Sequence, residues 1–171
     1  MKTKRISVIL TALLLTFMVG AIAEAARLPK AFPEFSTSDL DGRIFTNAIF
    51  AENEITMINF WATWCPPCIA EMPDLAELAE ILEKTNLEAG LIGVLLDADD
   101  RGAIRKAEQI LDKAKAHFTQ LRPNNEMRSI LDAIDAIPTT IFVDSKGNIV
   151  GQAIVGARSS QAYLDAIFAV K

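Results

Sequence analysis

Hydrophobic residues recur with two different periods along the chain, and the change of period predicts an alternation of strands and helices. Residues 55–61 form a short β-branched and aromatic run, which is typical of a buried strand. Residues 91–96 have the same character. Between these two runs the apolar residues follow helical spacing, with acidic residues among them: Ile69, Met72, Leu75, Leu78 and Leu82. We therefore expect a strand, a helix and a second buried strand.

The second half of the chain continues this alternation and ends in a hairpin and a helix. Residues 97–116 have an apolar face at helical spacing, with Asp99 or Asp100 as the expected cap. The later predicted elements are a short strand at 118–121, a helix from Asn124 or Asn125 to Ile134, strands at 139–143 and 149–155, and a last helix capped by Ser159. This order predicts an α/β fold with a mixed central sheet.

The first residues are predicted to lie outside this fold. A basic start is followed by an apolar run over residues 6–23 that contains neither Asp nor Glu, and small residues close the run. This pattern is typical of a secretory signal peptide, although an apolar run of about 18 residues also approaches the length of a membrane anchor. We assign residues 1–23 to a signal peptide or anchor, residues 24–33 to a linker, and residues 34–171 to a domain outside the cytoplasm.

Composition narrows the function classes. The 171 residues are 51% hydrophobic and 23% charged, which excludes disorder and leaves room for one domain. The net charge is −5, and removal of residues 1–23 takes away three positive charges and no negative one, which leaves −8. Because this domain is negatively charged, we do not expect it to bind nucleic acid or an anionic membrane surface. We expect the protein to be attached to a membrane only if the N-terminal segment stays uncleaved.

The candidate chemistry is carried by the only two cysteines, Cys65 and Cys68, at the junction of a predicted strand and helix. The N–H groups and partial positive charge of a helix N-terminus stabilise a thiolate, the form that attacks a disulfide. We expect Cys65 to be the more exposed nucleophile, and Cys68 to resolve the mixed disulfide by dithiol–disulfide exchange without a cofactor. A purely structural disulfide and half of a zinc site are the alternatives; the single histidine, His117, lies far along the chain.

The residues between the two cysteines bear on the redox direction. Pro66 and Pro67 have no backbone N–H, so two donors that could stabilise the Cys65 thiolate are missing. A poorly stabilised thiolate makes the disulfide easier to form, and this predicts a reductant rather than an oxidant.

Residues 61–68 (WATWCPPC), Glu71 with the following Met-Pro, and residues 137–140 (IPTT) together resemble the extracytoplasmic thioredoxin-like proteins of the TlpA/ResA type. The resemblance covers about residues 30–171. It implies a thioredoxin fold with an N-terminal β-hairpin, here around Asp41-Gly42, and an inserted strand–helix unit, for which residues 87–122 are the expected place.

The resemblance also implies roles for single residues. Cys65 matches the nucleophile, Cys68 the resolving thiol, and Pro138 a proline preceded by a cis peptide bond. The backbone of Ile137 would pair with substrate. The remaining surface around the cysteines, Trp64 with Pro66 and Pro67, is expected to contact substrate, whereas Trp61 is expected in the core. From the residues alone, Pro138 could equally be an ordinary loop proline.

Glu71 matches a glutamate that this family holds near the active site. It follows Cys68 by three residues, so the two share a helix face, and a buried carboxylate there would have a raised pKa and could carry the Cys68 proton. A solvent-facing glutamate is the alternative. Asn59 stands where cytoplasmic thioredoxins have a buried aspartate, which shifts the expected proton transfer towards Glu71.

The implied activity is thiol–disulfide exchange with a disulfide-containing protein, such as the haem-binding cysteines of an apocytochrome c. A membrane thiol-reducing protein would donate the electrons. A copper-handling protein that uses both thiols and a distal histidine is the alternative in a binding class. A peroxidase is disfavoured, because residues 63–65 lack the expected Pro/Thr pattern with an arginine partner.

Overall fold

The computed structural model of the protein describes residues 28–85 and 87–171. The predicted signal peptide or anchor, residues 1–23, lies outside the described residues, as do residues 24–27 of the predicted linker. Within the two described ranges, no helix is long and apolar enough to cross a membrane.

The elements follow the predicted alternation. The strands are β1 (Ser36–Ser38), β2 (Ile44–Thr46), β3 (Ile55–Trp61), β4 (Ala89–Leu95), β5 (Gln120–Leu121), β6 (Thr139–Asp144) and β7 (Ile149–Val155). The α-helices are α1 (Pro66–Lys84), α2 (Arg101–Ala114), α3 (Arg128–Leu131) and α4 (Ser160–Val170), and 3-10 turns occupy Asn47–Glu52 and Asn125–Met127.

The central sheet is built around β3, whose seven residues are all buried. Its strand order is β5-β4-β3-β6-β7, with β3 parallel to β4 and antiparallel to β6. This is the mixed sheet that the sequence predicts. A strand buried on both faces requires apolar side chains in both directions, which explains the continuous apolar run.

Two hydrophobic clusters cover the two faces of this sheet. Met57 and Trp61 of β3 pack on the face that carries α1, α2 and α4. Ile58 and Phe60 pack on the opposite face, among residues that precede β3 and residues of α3. Because successive side chains of a strand point to opposite faces, the residues of β3 pack towards α1, α2 and α4 on one face of the sheet and towards α3 on the other.

Part of the predicted linker packs against the domain. Phe32 is buried and makes edge-to-face contacts with Phe35 and Phe50, and its N–H donates to the carbonyl oxygen of Gly147 at 2.8 Å. The packed part of the chain thus begins a few residues before position 34.

The expected N-terminal hairpin and added unit are both present. β1 and β2 pair antiparallel around Gly42, whose φ of +86° suits a residue without Cβ. Residues 87–122, the expected place of the added strand–helix unit, hold β4, α2 and β5, and β5 extends the sheet beyond β4. The hairpin covers that edge, since Arg122 N–H donates to the Ser38 carbonyl at 2.9 Å.

Two predicted helices are shorter than expected. The helix expected at 97–116 is α2, which begins at Arg101 because the Asp100 side chain accepts from the Gly102 N–H at 2.8 Å. The helix expected from 124 to 134 is reduced to a 3-10 turn capped by Asn124 and to α3. Helix α1, by contrast, continues through Pro73 to Lys84.

We expect the Gln120→Ala variant to lose about 2 kcal/mol of unfolding free energy. The Gln120 side-chain oxygen accepts from the buried Trp61 indole N–H at 2.8 Å. The alanine substitution removes this acceptor and leaves the indole N–H buried without a partner. Urea denaturation measures the loss. The control is Gln161→Ala, at an exposed helix position, which should change the free energy by less than about 0.5 kcal/mol. Equal losses in the two variants would contradict this role.

Candidate active site

The two cysteines begin α1 immediately beyond the end of β3. Cys65 is the N-terminal cap, with its side chain accepting from the Cys68 N–H at 3.3 Å, and Pro66 and Pro67 start the helix. The sulfurs are joined in a disulfide, and the two Cα atoms lie 5.3 Å apart. Both sulfurs therefore stand within the first helical turn, where the helix field favours a thiolate.

The residues at and around the disulfide differ in how much of their surface solvent can reach. Cys65 retains 3% of its accessible surface and Cys68 none, so both are buried in the disulfide form, with Cys65 the outer one. Trp64 is 65% exposed beside them, and Pro66 and Pro67 are exposed as well. Trp61 is fully buried, as predicted for a core residue. Together these residues present an apolar surface around one nearly buried sulfur.

The loop before β6 lies against the Cys65 sulfur. The Ile137–Pro138 peptide bond is cis, and the Ile137 carbonyl oxygen is 3.7 Å from Cys65 Sγ. The Pro138 carbonyl accepts from the Gly156 N–H at 2.8 Å, which ties this loop to the end of β7. Across the described part of the chain, Ile137 makes no backbone–backbone hydrogen bond, so its N–H and C=O are not engaged in the sheet.

Glu71 is buried at 2% exposure in the second turn of α1, which excludes the solvent-facing alternative. One carboxylate oxygen accepts from Asn59 Nδ2 at 3.0 Å. The other accepts from the Tyr163 hydroxyl at 2.8 Å and from the Arg158 N–H at 3.3 Å. These three donors are two neutral side chains and a backbone amide, so hydrogen bonds rather than an ion pair hold the carboxylate.

Burial raises the pKa of Glu71 above its ordinary value, because desolvation penalises the carboxylate form. The hydrogen bonds from Tyr163, Asn59 and Arg158 act in the opposite direction, and the nearby Asp74 carboxylate adds to the rise. Burial also raises the pKa of Tyr163, and the Glu71 charge adds to that rise. Tyr163 is therefore a neutral donor to Glu71 at any physiological pH.

Asn59 connects Glu71 to β6. Its Nδ2 also donates to Thr140 Oγ1 at 3.1 Å, and the Thr140 hydroxyl approaches the Tyr163 hydroxyl at 3.5 Å. Among the described residues the Asn59 Oδ1 atom has no hydrogen-bond partner. Because an amide does not titrate, Glu71 is the ionisable group at this place between β3 and α1.

Sequence reasoning missed Asp97, Thr140 and Tyr163. The Asp97 carboxylate accepts from the Thr63 hydroxyl at 2.6 Å and from its N–H at 3.1 Å, and so holds the loop that precedes Cys65. The sequence pattern assigns Asp97 to a helix, although its place directly after a predicted buried strand is a signal for a loop residue. Tyr163 and Thr140 carry no such signal, since the contact of Tyr163 with Glu71 and that of Thr140 with Asn59 both join distant parts of the chain.

The copper alternative needs a histidine beside the two sulfurs. His117 instead lies beyond the C-terminal end of α2, where it lines a cavity with Glu108, Asp112 and residues of the N-terminal hairpin. Within residues 28–85 and 87–171 no group of three His, Cys, Asp or Glu side chains is arranged to hold a metal ion.

A mixed sheet with a redox disulfide at the start of its long helix and a cis proline facing the sulfur defines the thioredoxin-fold class. Residues 28–152 match the AhpC/TSA family, and the chain belongs to that family.

Relatives and solved structures agree with this assignment. The chain is 29% identical over 126 residues to the thiol-disulfide oxidoreductase ResA of Oceanobacillus iheyensis, covering 72% of this chain and 62% of that protein. It is 34% identical over 129 residues to the thiol:disulfide interchange protein DsbE of Vibrio cholerae, covering 74% and 64%. The chain thus spans less than two thirds of the length of these relatives.

A thiol:disulfide interchange protein from Chlorobium tepidum superposes with a TM-score of 0.68 at 24% identity, covering 84% of this chain and 97% of that one. StoA from Bacillus subtilis superposes with a TM-score of 0.63 at 20% identity, covering 80% and 98%. At these identities the likeness establishes the thioredoxin fold.

The raised pKa of Glu71 predicts that its carboxylate costs stability at neutral pH. In the unfolded chain Glu71 ionises near its ordinary pKa of 4.5, whereas in the folded protein it holds its proton to higher pH. Its contribution to stability is therefore present below pH 4.5 and is lost as pH rises through the folded pKa. The unfolding free energy of the wild type should fall relative to Glu71→Gln as pH rises from about 4.5 through the folded pKa. The expected fall is about 1.4 kcal/mol for each pH unit that separates the folded pKa from the unfolded one.

Urea denaturation of both proteins at several pH values measures this difference. Glu83→Gln, at an exposed position on the same helix, is the control and should show no such divergence from the wild type. Parallel stability curves for wild type and Glu71→Gln would contradict a raised pKa at Glu71.

Proposed function

We propose that this protein is a thiol–disulfide oxidoreductase that reduces disulfides of other proteins. The proposal is carried by one arrangement: the Cys65–Cys68 disulfide caps α1, while the open backbone of Ile137 faces the Cys65 sulfur. An extended substrate segment that pairs with Ile137 would bring its own disulfide to Cys65. The names of the relatives, thiol-disulfide oxidoreductase and thiol:disulfide interchange protein, support the same activity.

The exchange proceeds in two balanced steps. The Cys65 thiolate of the reduced protein attacks one sulfur of the substrate disulfide, and the second substrate sulfur leaves as a thiolate. The Cys68 thiolate then attacks Cys65, which releases the first substrate sulfur and forms the Cys65–Cys68 disulfide. The substrate gains two electrons and the protein loses two, while the two protons of the cysteine thiols pass to the products.

Glu71 serves in this proposal as the base for the second step. The Cys68 thiol is fully buried, so it needs a neighbouring acceptor for its proton, and Glu71 lies one helical turn further along α1. A carboxylate with a raised pKa is a stronger base than an ordinary glutamate. Its hydrogen bonds from Asn59 and Tyr163 keep it oriented while it takes the proton.

The finer assignments rest on the resemblance and on the N-terminal sequence. We propose that the domain acts outside the cytoplasm, because residues 1–23 have the pattern of a signal peptide or anchor. The proposed substrates are protein disulfides, with the Cys-x-x-Cys-His haem-attachment motif of apocytochromes c as the first candidate. The proposed electron donor is a membrane thiol-reducing protein that reduces Cys65–Cys68 again.

A trapping experiment tests the activity and the roles of the cysteines. The Cys68→Ala variant should form a stable mixed disulfide through Cys65 with an oxidised Cys-x-x-Cys-His peptide, because the resolving thiol is missing. The matched Cys65→Ala variant should form none, since its remaining sulfur is buried. Mass spectrometry of the adducts is the measurement. An adduct on Cys68, or none with either variant, would refute the proposed function.

We expect Glu71→Gln to slow resolution of the mixed disulfide about 100-fold, the size of a general-base contribution. It should also remove the acid limb of the pH–rate profile. Tyr163→Phe should instead move that limb to higher pH, because the lost hydroxyl stabilises the ionised carboxylate. Stopped-flow rates of the second step across pH measure both effects. An unchanged profile in Glu71→Gln would remove the residue from the mechanism.

The two prolines predict a reducing potential. Of the first-turn residues, only the Cys68 N–H reaches Cys65 Sγ, since Pro66 and Pro67 have no N–H to donate. We expect a potential nearer about −270 mV than about −120 mV. Pro67→His restores a donor and adds an imidazole that can carry a positive charge, and should raise the potential. Equilibration with glutathione measures both proteins, and a wild-type value above about −180 mV would overturn the reductase assignment.

A further inference from the structure

A groove between α1 and α2 begins next to the cysteine pair. Ile69, Ala70 and Pro73 form its α1 side, and its volume is about 520 Å³. Pro66, Ala70 and Pro73 have the i, i+4 and i+7 spacing of one helix face, so the groove lies on the face of α1 that begins at Pro66. With a rise of about 1.5 Å per residue, Ile69 lies about 6 Å and Pro73 about 12 Å beyond Cys65 along the helix axis. A substrate held at Cys65 is within reach of it.

The floor of this groove is apolar and its polar rim is basic. Ile110 and Ala114 of α2 complete the floor, whereas Lys106, Gln109 and Lys113 supply the polar side chains. Among the described residues, those that line the groove include no acidic side chain. Within residues 28–85 and 87–171, neither lysine belongs to an ion pair.

The charges of α2 are sorted between its two sides. Glu108 and Asp112, the two acidic residues of this helix, line the cavity on the opposite side, next to the N-terminal hairpin. Two α1 carboxylates that follow Pro73 in the sequence make hydrogen bonds to α4: Asp74 accepts from the Ser160 N–H at 3.2 Å, and Glu77 from its hydroxyl at 2.6 Å. In a domain with a net charge of −8 by sequence, this groove is therefore a locally positive site.

We propose that this groove binds the segment flanking the cysteine of a disulfide substrate, and that it favours an apolar side chain followed by acidic residues. The inference rests on the proposed exchange reaction and specifies its substrate. An apolar side chain covers Ile110 and Pro73, and carboxylates pair with Lys106 and Lys113. An extended chain advances about 3.3 Å per residue, so residues about two to four positions from the attacked cysteine occupy the groove.

Disulfide-linked homodimers of synthetic peptides test the proposal, because attack on either sulfur gives the same product. The first peptide carries a leucine about three residues after its cysteine, followed by two glutamates. The second peptide is identical except that two lysines replace the glutamates. A third peptide replaces the leucine by serine, and a mirrored set places the same residues before the cysteine. Bis(2-hydroxyethyl) disulfide, which is neutral, reports on exchange without any groove contact.

The reduced wild-type protein should react with the glutamate peptide about tenfold faster than with the lysine peptide, in one of the two orientations. The ratio should shrink between about 0.05 M and about 0.5 M salt, because salt screens exposed charges. The serine peptide should be slower than the leucine peptide. In Lys106→Glu/Lys113→Glu the ratio of glutamate to lysine peptide should reverse.

The control variant, Lys30→Glu/Lys146→Glu, carries the same change of charge at two exposed lysines that do not line the groove, and should keep the wild-type ratio. Equal rates for the two peptides, or a ratio unchanged in the groove variant, would overturn the proposal. So would self-association, or binding to anionic vesicles, that the groove variant alone abolishes, since a second copy or a membrane would then be the occupant. No exchange with the neutral disulfide would instead refute the proposed function itself.

Discussion

The pairing of β3 with both of its neighbours is the constraint on which the site depends. Trp61, the last residue of β3, lies opposite Leu95 of β4, and Phe60 lies opposite Thr139 of β6. This register sets the Cys65 loop beside Asp97 on one side and beside Pro138 on the other. A slip of one residue would turn β3 over and move Asn59 away from α1, so one strand register fixes both the sulfur and its carboxylate.

The parts of this arrangement that are local could be predicted from the sequence. The buried strands and the position of the cysteines at a strand–helix junction follow from residue types within a few positions of one another. Glu71 needs the resemblance, because helical spacing alone allows it to face either solvent or the core. The residues alone likewise leave the cis bond before Pro138 open, and only the family resemblance predicts it.

Contacts that join distant segments could not be predicted in this way. Tyr163 donates to Glu71 across 92 positions, and Thr63 binds Asp97 across 34. Neither Tyr163 nor Asp97 belongs to a motif. A single aspartate after a strand, such as Asp97, could equally be interpreted as the start of a helix. Helix α2 is shorter than predicted for the same reason, a contact between distant segments. Residues 97–100 form turns instead of helix, and Asp97 binds Thr63.

In the proposed exchange reaction, two features of the site act on different sulfurs and on different quantities. Pro66 and Pro67 withhold hydrogen-bond donors from the outer sulfur, Cys65, and so bear on the relative stability of its reduced and oxidised forms. Glu71 follows Cys68 by about one helical turn of α1, and we propose that it accepts the proton of the inner sulfur. The proposal thus links the destabilising burial of Glu71 to the rate of exchange, and the residues between the cysteines to the direction of electron flow.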